Sequence, residues 1–320
     1  MKIYLALLLC LSAVSAQAQT RASHIGVLLQ EMGRAQSQAL KGVGAELKQL
    51  GYKERKTLFF EIRNAKGDRS ALQTGAKELA TKKVDAIFTT GSRATLAATA
   101  ATQEIPIVFV HPGDPIAAGL IKSSADSPRN LTGVAAYAAE TTEKRLALFK
   151  EIIPGLTELH IFFDSNSSFS RDNFARAETA AKKMAIPLAA HGVKSIDELK
   201  TTLSNLNPQA GAAIFQIADD LVESEAEFIF AMSRQKKIPT MFNEESWAIN
   251  GATAAYGPNY LDMGRRAGKI LDLIIKGKSP AALPLERASK FDLTLNYRAA
   301  KFIGFELPAP LLKKAEKVIR

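Results

Sequence analysis

The chain has 320 residues, with 42 Lys and Arg against 32 Asp and Glu, a formal charge of +10 and one cysteine. A hydrophobic fraction of 47% and a charged fraction of 23% exclude a disordered, collagen-like or disulfide-stapled chain. The length suits one large domain or two moderate ones.

The first segment reads MKIYLALLLCLSAVSAQAQT, with Lys2 before an apolar run over 3–14 and then Ala16-Gln17-Ala18. This order predicts a signal peptide, residues 1–18, cut after Ala18. The run is too short to span a hydrocarbon core of ~30 Å. Cys10 sits inside it behind Leu7, Leu8 and Leu9, not at a lipoprotein cleavage point. Cleavage leaves no cysteine, and with it no thiolate nucleophile and no Cys-ligated zinc. No later stretch reaches the about eighteen apolar residues of a membrane span, so the expected product is exported, soluble and periplasmic.

After the leader, strands are predicted at 24–29, 57–64, 84–89, 107–110, 159–163, 187–191, 212–216, 239–242 and 252–256. Helical patterns alternate with them at 36–50, 70–82, 144–153, 174–184, 196–206, 224–235 and 261–275. Gly51, Pro154 and Gly277 fall just past helix ends, where such residues stop a helix. The alternation predicts an α/β protein with mostly parallel sheets. The order also repeats. Residues 68–92, leading to an Ile-Pro strand at 105–110, parallel residues 195–219, leading to another at 238–243. Such a repeat predicts two similar lobes, divided near 137–140, with a ligand crevice at the strand carboxyl ends.

Signs of catalysis are missing. His24, His111, His160 and His191 do not pair at helical spacing, and the zinc-protease, nucleophile-elbow and phosphate-loop patterns are absent. Gly42-Val43-Gly44 lies in a helical pattern without the strand-turn context of a dinucleotide site. No catalytic residue, metal site or cofactor is therefore expected. The Lys and Arg residues are scattered over helices, never in runs of five or six and never interleaved with aromatics, so no nucleic-acid partner is expected.

Polar residues gather instead at predicted strand ends. Thr90-Gly91-Ser92 precedes an Ala-rich helix, where hydroxyls either cap backbone N–H groups or leave them for an anion. His111-Pro112-Gly113-Asp114-Pro115 follows another strand, and Asp114 either caps the next helix or accepts from a ligand. In the second half Asp164-Ser165-Asn166, Asp219-Asp220 and Asn243-Glu244 occupy like positions. Carboxylates there suit a ligand ammonium, and together with the Thr90–Ser92 hydroxyls they make a clamp for a zwitterion. Phe163, Phe169, Trp247 and Tyr256 serve either as core or as a stacking surface for a ring.

HPGDPIAAGLI, then NLTGV, then the long segment from AAYGPNYLDMGRRAGKILDL to KFDLTLNYRAAKFIGFELP, resemble one family over nearly the whole chain after the leader. Most specific are Gly113-Asp114-Pro115 with Gly119-Leu120, and the closing segment from Lys290 to Gly304. The family is the ABC-transporter substrate-binding proteins that include tryptophan and aromatic amino-acid binders. The resemblance implies a type I periplasmic-binding-protein fold, with three-layer α/β/α lobes joined by a multi-strand hinge. One lobe would comprise 19–138 plus about 254–288, the other about 139–253 plus 289–320. It implies a monomer that closes over one small-molecule solute, an amino acid by family precedent, and delivers it to a membrane permease. Carried over by position, the cleft would be lined by Gln30, Met32, Thr90, Gly91, Ser92, His111, Gly113, Asp114, Asp164, Ser165, Asn166, Asp219, Asn243 and Glu244. A sensor that presents its ligand to a membrane kinase is the alternative. An exported enzyme and a DNA-binding regulator are disfavoured by the missing motifs and by the leader.

Overall fold

The computed structural model describes residues 21–122 and 129–320; the expected leader lies outside the described residues. The first half runs β1 (Ser23–Leu29), α1 (Arg34–Gln49), β2 (Leu58–Asn64), α2 (Arg69–Thr81), β3 (Ala86–Thr90), α3 (Ser92–Ala101), β4 (Ile107–His111) and β5 (Leu131–Ala135). β3, β4 and β5 are buried along their whole length, as strands of a parallel sheet covered on both faces must be. Alternation sorts the side chains. Ile25, Val27 and Leu29 face one helical layer, and Leu28 faces the other with Leu72, Leu79 and Ala94. Asp68 starts α2 by accepting from the Ala71 N–H at 2.7 Å.

The second half repeats the plan with α4 (Thr142–Ile152), β6 (Glu158–Asp164), α5 (Ser168–Lys183), β7 (Leu188–Val193), α6 (Ile196–Asn205), β8 (Ala212–Phe215), α7 (Asp220–Ser224), α8 (Ala226–Lys236), β9 (Thr240–Phe242), α9 (Glu245–Asn250) and β10 (Ala254–Pro258). It ends with α10 (Tyr260–Ile275), β11 (Glu286–Arg287), β12 (Phe291–Asn296), α11 (Tyr297–Phe302), α12 (Ala309–Lys314) and β13 (Lys317–Ile319). The first sheet has the order β2-β1-β3-β4-β5-β11 and the second β7-β6-β8-β9-β10-β12-β13. The sequence repeat is thus a repeat of strand order. Only β10 and β12 pair antiparallel among the described strands.

Three crossings join the halves, between β5 and α4, between β10 and α10, and between β11 and β12. They are tied together where the Ala288 N–H donates to Ala135 O at 2.8 Å and the Asn259 N–H to Lys290 O at 3.0 Å. One expectation shifts here. Residues 254–258 were expected with the first lobe, but as β10 they pair with β9 and β12 in the second sheet. The chain returns to the first half only with α10, where Asn259 caps the helix by accepting from the Asp262 N–H. The predicted helix 224–235 is α8, preceded by the short α7.

α10 packs on α1 so closely that a Cβ at Gly42 would lie 2.2 Å from Leu261 O, and one at Gly264 2.0 Å from Ala39 O. Gly42 therefore serves helix packing, which is why it sits in a helical pattern and not in a nucleotide loop.

Candidate site between the two sheets

A cavity of about 440 Å³ lies between the carboxyl ends of the two sheets, where open α/β sheets hold their ligands and within the ~300–1,000 Å³ usual for small molecules. One wall comes from the first half, with Ser92 at the start of α3, the His111–Asp114 loop after β4, and Tyr137 at the first crossing. The other carries Asp219 and Asp220 after β8, Glu223 in α7, Asn243 and Glu244 after β9, and Phe169 and Arg176 from α5.

The first wall is built from backbone. Gly91 stands at the N-cap of α3 with φ +77 and ψ 168, and no side chain caps the helix. That conformation belongs to glycine, and it leaves the first-turn N–H groups and the helix dipole for an anion. After β4, Tyr137 and Ala138 donate their N–H groups to Gly113 O at 3.3 Å and Pro112 O at 2.9 Å, holding the loop against the crossing. The Asp114 carboxylate accepts from the Ile116 N–H at 2.8 Å, so its turn-capping role is the observed one. His111 is 9% exposed, and its Nδ1 has no hydrogen-bond partner. Burial lowers its pKa to about 4 against the opposing pull of Asp114, so the ring is neutral near pH 7.

The second wall is built from carboxylates. Asp219, 1% exposed, accepts from Val222 N–H at 2.9 Å through Oδ1 and from Asp164 N–H at 2.7 Å through Oδ2. It caps α7 and braces the end of β6 at once. Glu223 accepts from Gln216 Nε2 at 2.7 Å and Asn243 Nδ2 at 3.1 Å. Burial, with the neighbouring Glu244 and Asp220, nonetheless pushes its pKa up to about 7. Glu244 accepts from the Tyr260 hydroxyl at 2.6 Å, and burial raises its pKa too. Behind them Arg145 is buried against the Phe215 ring and donates to Gln216 O at 2.6 Å, its pKa lowered to about 9 by burial.

Of the expected residues, Ser92, His111, Gly113, Asp114, Asp219, Asn243 and Glu244 meet at this cavity. Gln30 lines a separate groove between α2 and α3, and Met32 is 42% exposed and does not line the cavity. Thr90 is 5% exposed and lies behind the wall, with its Oγ1 unpartnered; Gly91 acts through its backbone. Asp164, Ser165 and Asn166 lie outside the cavity because they are spent locally. Asp164 accepts from the Asn166 N–H at 2.8 Å, Ser165 Oγ donates to Val193 O at 3.1 Å, and Asn166 Nδ2 donates to Lys194 O at 3.2 Å. These bonds fasten the turn to β7. The exclusions are symmetric, since Gln30 follows β1 and Asp164 ends β6, equivalent strands of the two halves. The ends of β3, β4, β8 and β9 supply the site.

Sequence reasoning did not find Tyr137, Glu140, Asp172, Asn173, Arg176 or Glu223 at the cavity. Their signal is weak, because they lie within helices or the crossing and not at a strand end. Of the aromatic candidates Phe169 lines the cavity, 47% exposed. Phe163 stacks on Phe174, Trp247 packs on Phe230 and Phe242, and Tyr256 is buried in the core.

Residues 24–319 match the family model described as ABC transporter substrate binding protein. The chain belongs to this family. As a substrate-binding protein of an ABC transporter, it implies a small-molecule solute and a permease partner. It is 25% identical to the tyrosine-binding protein of Clostridioides difficile strain R20291 over 268 residues, 84% of this chain and 77% of that relative. Among solved structures, the ABC domain in complex with L-Trp from Streptococcus pneumonia superposes with a TM-score of 0.76 at 23% identity, covering 93% of this chain and 100% of that one. A ligand-free, open substrate binding protein with adhesive properties from Clostridium difficile gives 0.77 at 23% identity, covering 93% and 99%. These likenesses show a shared fold, the type I periplasmic-binding architecture expected from the sequence. No helix among the described residues is long and apolar enough to cross a membrane.

Proposed function

We propose that this substrate-binding protein receives a small zwitterion, an amino acid, in the cavity between its sheets and closes over it at the three crossings. The carrying observation is the opposition of the two walls. An uncapped helix start at Gly91–Ser92 faces the carboxylates of Asp219, Asp220, Glu223 and Glu244. The ligand carboxylate would take the α3 N–H groups and the Ser92 hydroxyl, and its ammonium would meet the acidic wall. A relative named for tyrosine binding and a solved neighbour holding L-Trp support the amino-acid reading.

On this reading the chain works outside the cytoplasm, as a monomer and without turnover, after loss of residues 1–18. Its lobes are 19–138 with about 259–288, and 139–258 with 289–320, joined at the three crossings. ATP is spent on the other side of the membrane, and the closed form is what the permease recognises. Calorimetry of the mature chain against the common amino acids should find a binder. Silence across that panel removes the amino-acid reading, and intact mass of the exported protein tests the cut after Ala18.

A further inference from the structure

We propose that the solute of this cavity carries a cationic group besides its α-ammonium, so that the site selects a basic amino acid over a neutral one. The inference rests on the amino-acid reading above and goes beyond it. It starts from which carboxylates remain uncompensated. Both Asp219 oxygens and one Asp114 oxygen are engaged by backbone N–H groups, which occupies their lone pairs without cancelling their charge, and Glu140 pairs with Arg287. Asp172, Asp220, Glu223 and Glu244 remain at the cavity, and among the described residues Arg176 is the one cation lining it. Asp172, Asp220 and Arg176 have no hydrogen-bond or ion-pair partner among the described residues. The bonds to Glu223 and Glu244 come from neutral amides and a phenol, which do not cancel charge.

A neutral amino acid cannot balance this wall. Its carboxylate is taken up at the α3 start and its ammonium offsets one carboxylate, while Arg176 offsets a second and the buried Arg145, which interacts with Glu223, a third. One of the four carboxylates is left without a cation, and Asp172 and Asp220 are the exposed ones among them. Burial first, and then the neighbouring Glu244, raises the Glu223 pKa to about 7, so a bound cation would draw it into its charged form.

Two unpartnered atoms point the same way. Asn243 donates through Nδ2 to Glu223, which fixes the orientation of its amide and leaves Oδ1 buried without a donor. His111 Nδ1 is likewise buried and unpartnered on the facing wall. Carboxylates plus a bare amide oxygen form an acceptor-only surface, matched by a group that only donates, a guanidinium or an ammonium. Phe169 and Tyr137 supply faces over which such a cation or its methylene stem can lie.

The test is titration calorimetry on the mature chain with ligands matched in shape and differing in charge: L-arginine against L-citrulline, L-lysine against L-norleucine, with L-tyrosine alongside. The cationic member of each pair should bind about tenfold or more tightly, with a preference that shrinks as salt is added. Asp220→Asn, at an exposed position that makes no hydrogen bond, should narrow the arginine to citrulline ratio by about threefold. Citrulline, norleucine or tyrosine binding as tightly as the cations overturns the inference and leaves the amino-acid reading standing. Agmatine and cadaverine separate the two claims. If they bind and no amino acid does, selection for a cation stands and the amino-acid reading falls; if nothing in either set binds, both fall.

Discussion

The two walls of the cavity solve the same task with different materials. The first presents backbone: an uncapped helix start at Gly91, a proline-stiffened loop, and a histidine kept neutral by burial. The second presents side-chain charge, and much of it is spent on its own architecture, since Asp219 caps α7 and braces β6 with the same carboxylate. A backbone wall has fixed dipoles and costs little to keep ready. A carboxylate wall is matched by a cation. The same strand order therefore builds one half that suits an anion and one that suits a cation.

This contrast can be broken by substitution, and the largest effect is expected at Asp219. Asp219→Ala removes a buried cap and leaves the Asp164 and Val222 N–H groups without their acceptor, which should lower unfolding free energy by about 2–3 kcal/mol in denaturant titration. A loss below about half a kcal/mol would show that the brace is redundant. Next comes Gly91→Ala, which places a Cβ on a glycine-only backbone and should cost about 2 kcal/mol. By tilting the first-turn N–H groups it should also weaken ligand binding about tenfold. An unchanged affinity would move the anion site away from α3.

The walls should also answer pH in opposite senses. Glu223 has a folded pKa near 7, above its ordinary 4.5, so its stabilising contribution is complete below pH 4.5 and is lost as pH rises through 7. Glu223→Gln should thus gain about 1 kcal/mol at pH 8, discounted for partial exposure, and nothing at pH 4. His111 has a folded pKa near 4, below its ordinary 6.5, so its contribution is present above 6.5 and lost as pH falls through 4. His111→Asn should flatten the acid limb of a melting-temperature profile that Glu223→Gln leaves in place. The smallest effect belongs to Asp114→Asn, which keeps an acceptor for the single turn bond and should change stability by no more than about 0.5 kcal/mol. A larger loss would mean that the first wall also depends on side-chain charge.

The strand pattern of both halves was legible because buried parallel strands need uninterrupted apolar runs, as in AIFTT and IVFVH. β5 escaped such a reading, since LTGVA carries threonine and glycine in a short run. At the site, residues just past β3, β4, β8 and β9 were findable from their place after a strand. Gln30 and Asp164 were not separable from them, because every strand end looks alike in one dimension. Arg176 and Glu223 look like ordinary exposed residues of amphipathic helices until the facing half is in position.

By itself, then, the sequence determined the α/β class, the repeat and the family, because burial periodicity and local turn chemistry act over a few residues. Only the tertiary structure decided which strand ends share a cavity, that β10 belongs to the second sheet, and which carboxylates are spent on backbone and which remain bare. Those facts depend on distances between residues far apart in the chain, and charge compensation is a property of what stands opposite.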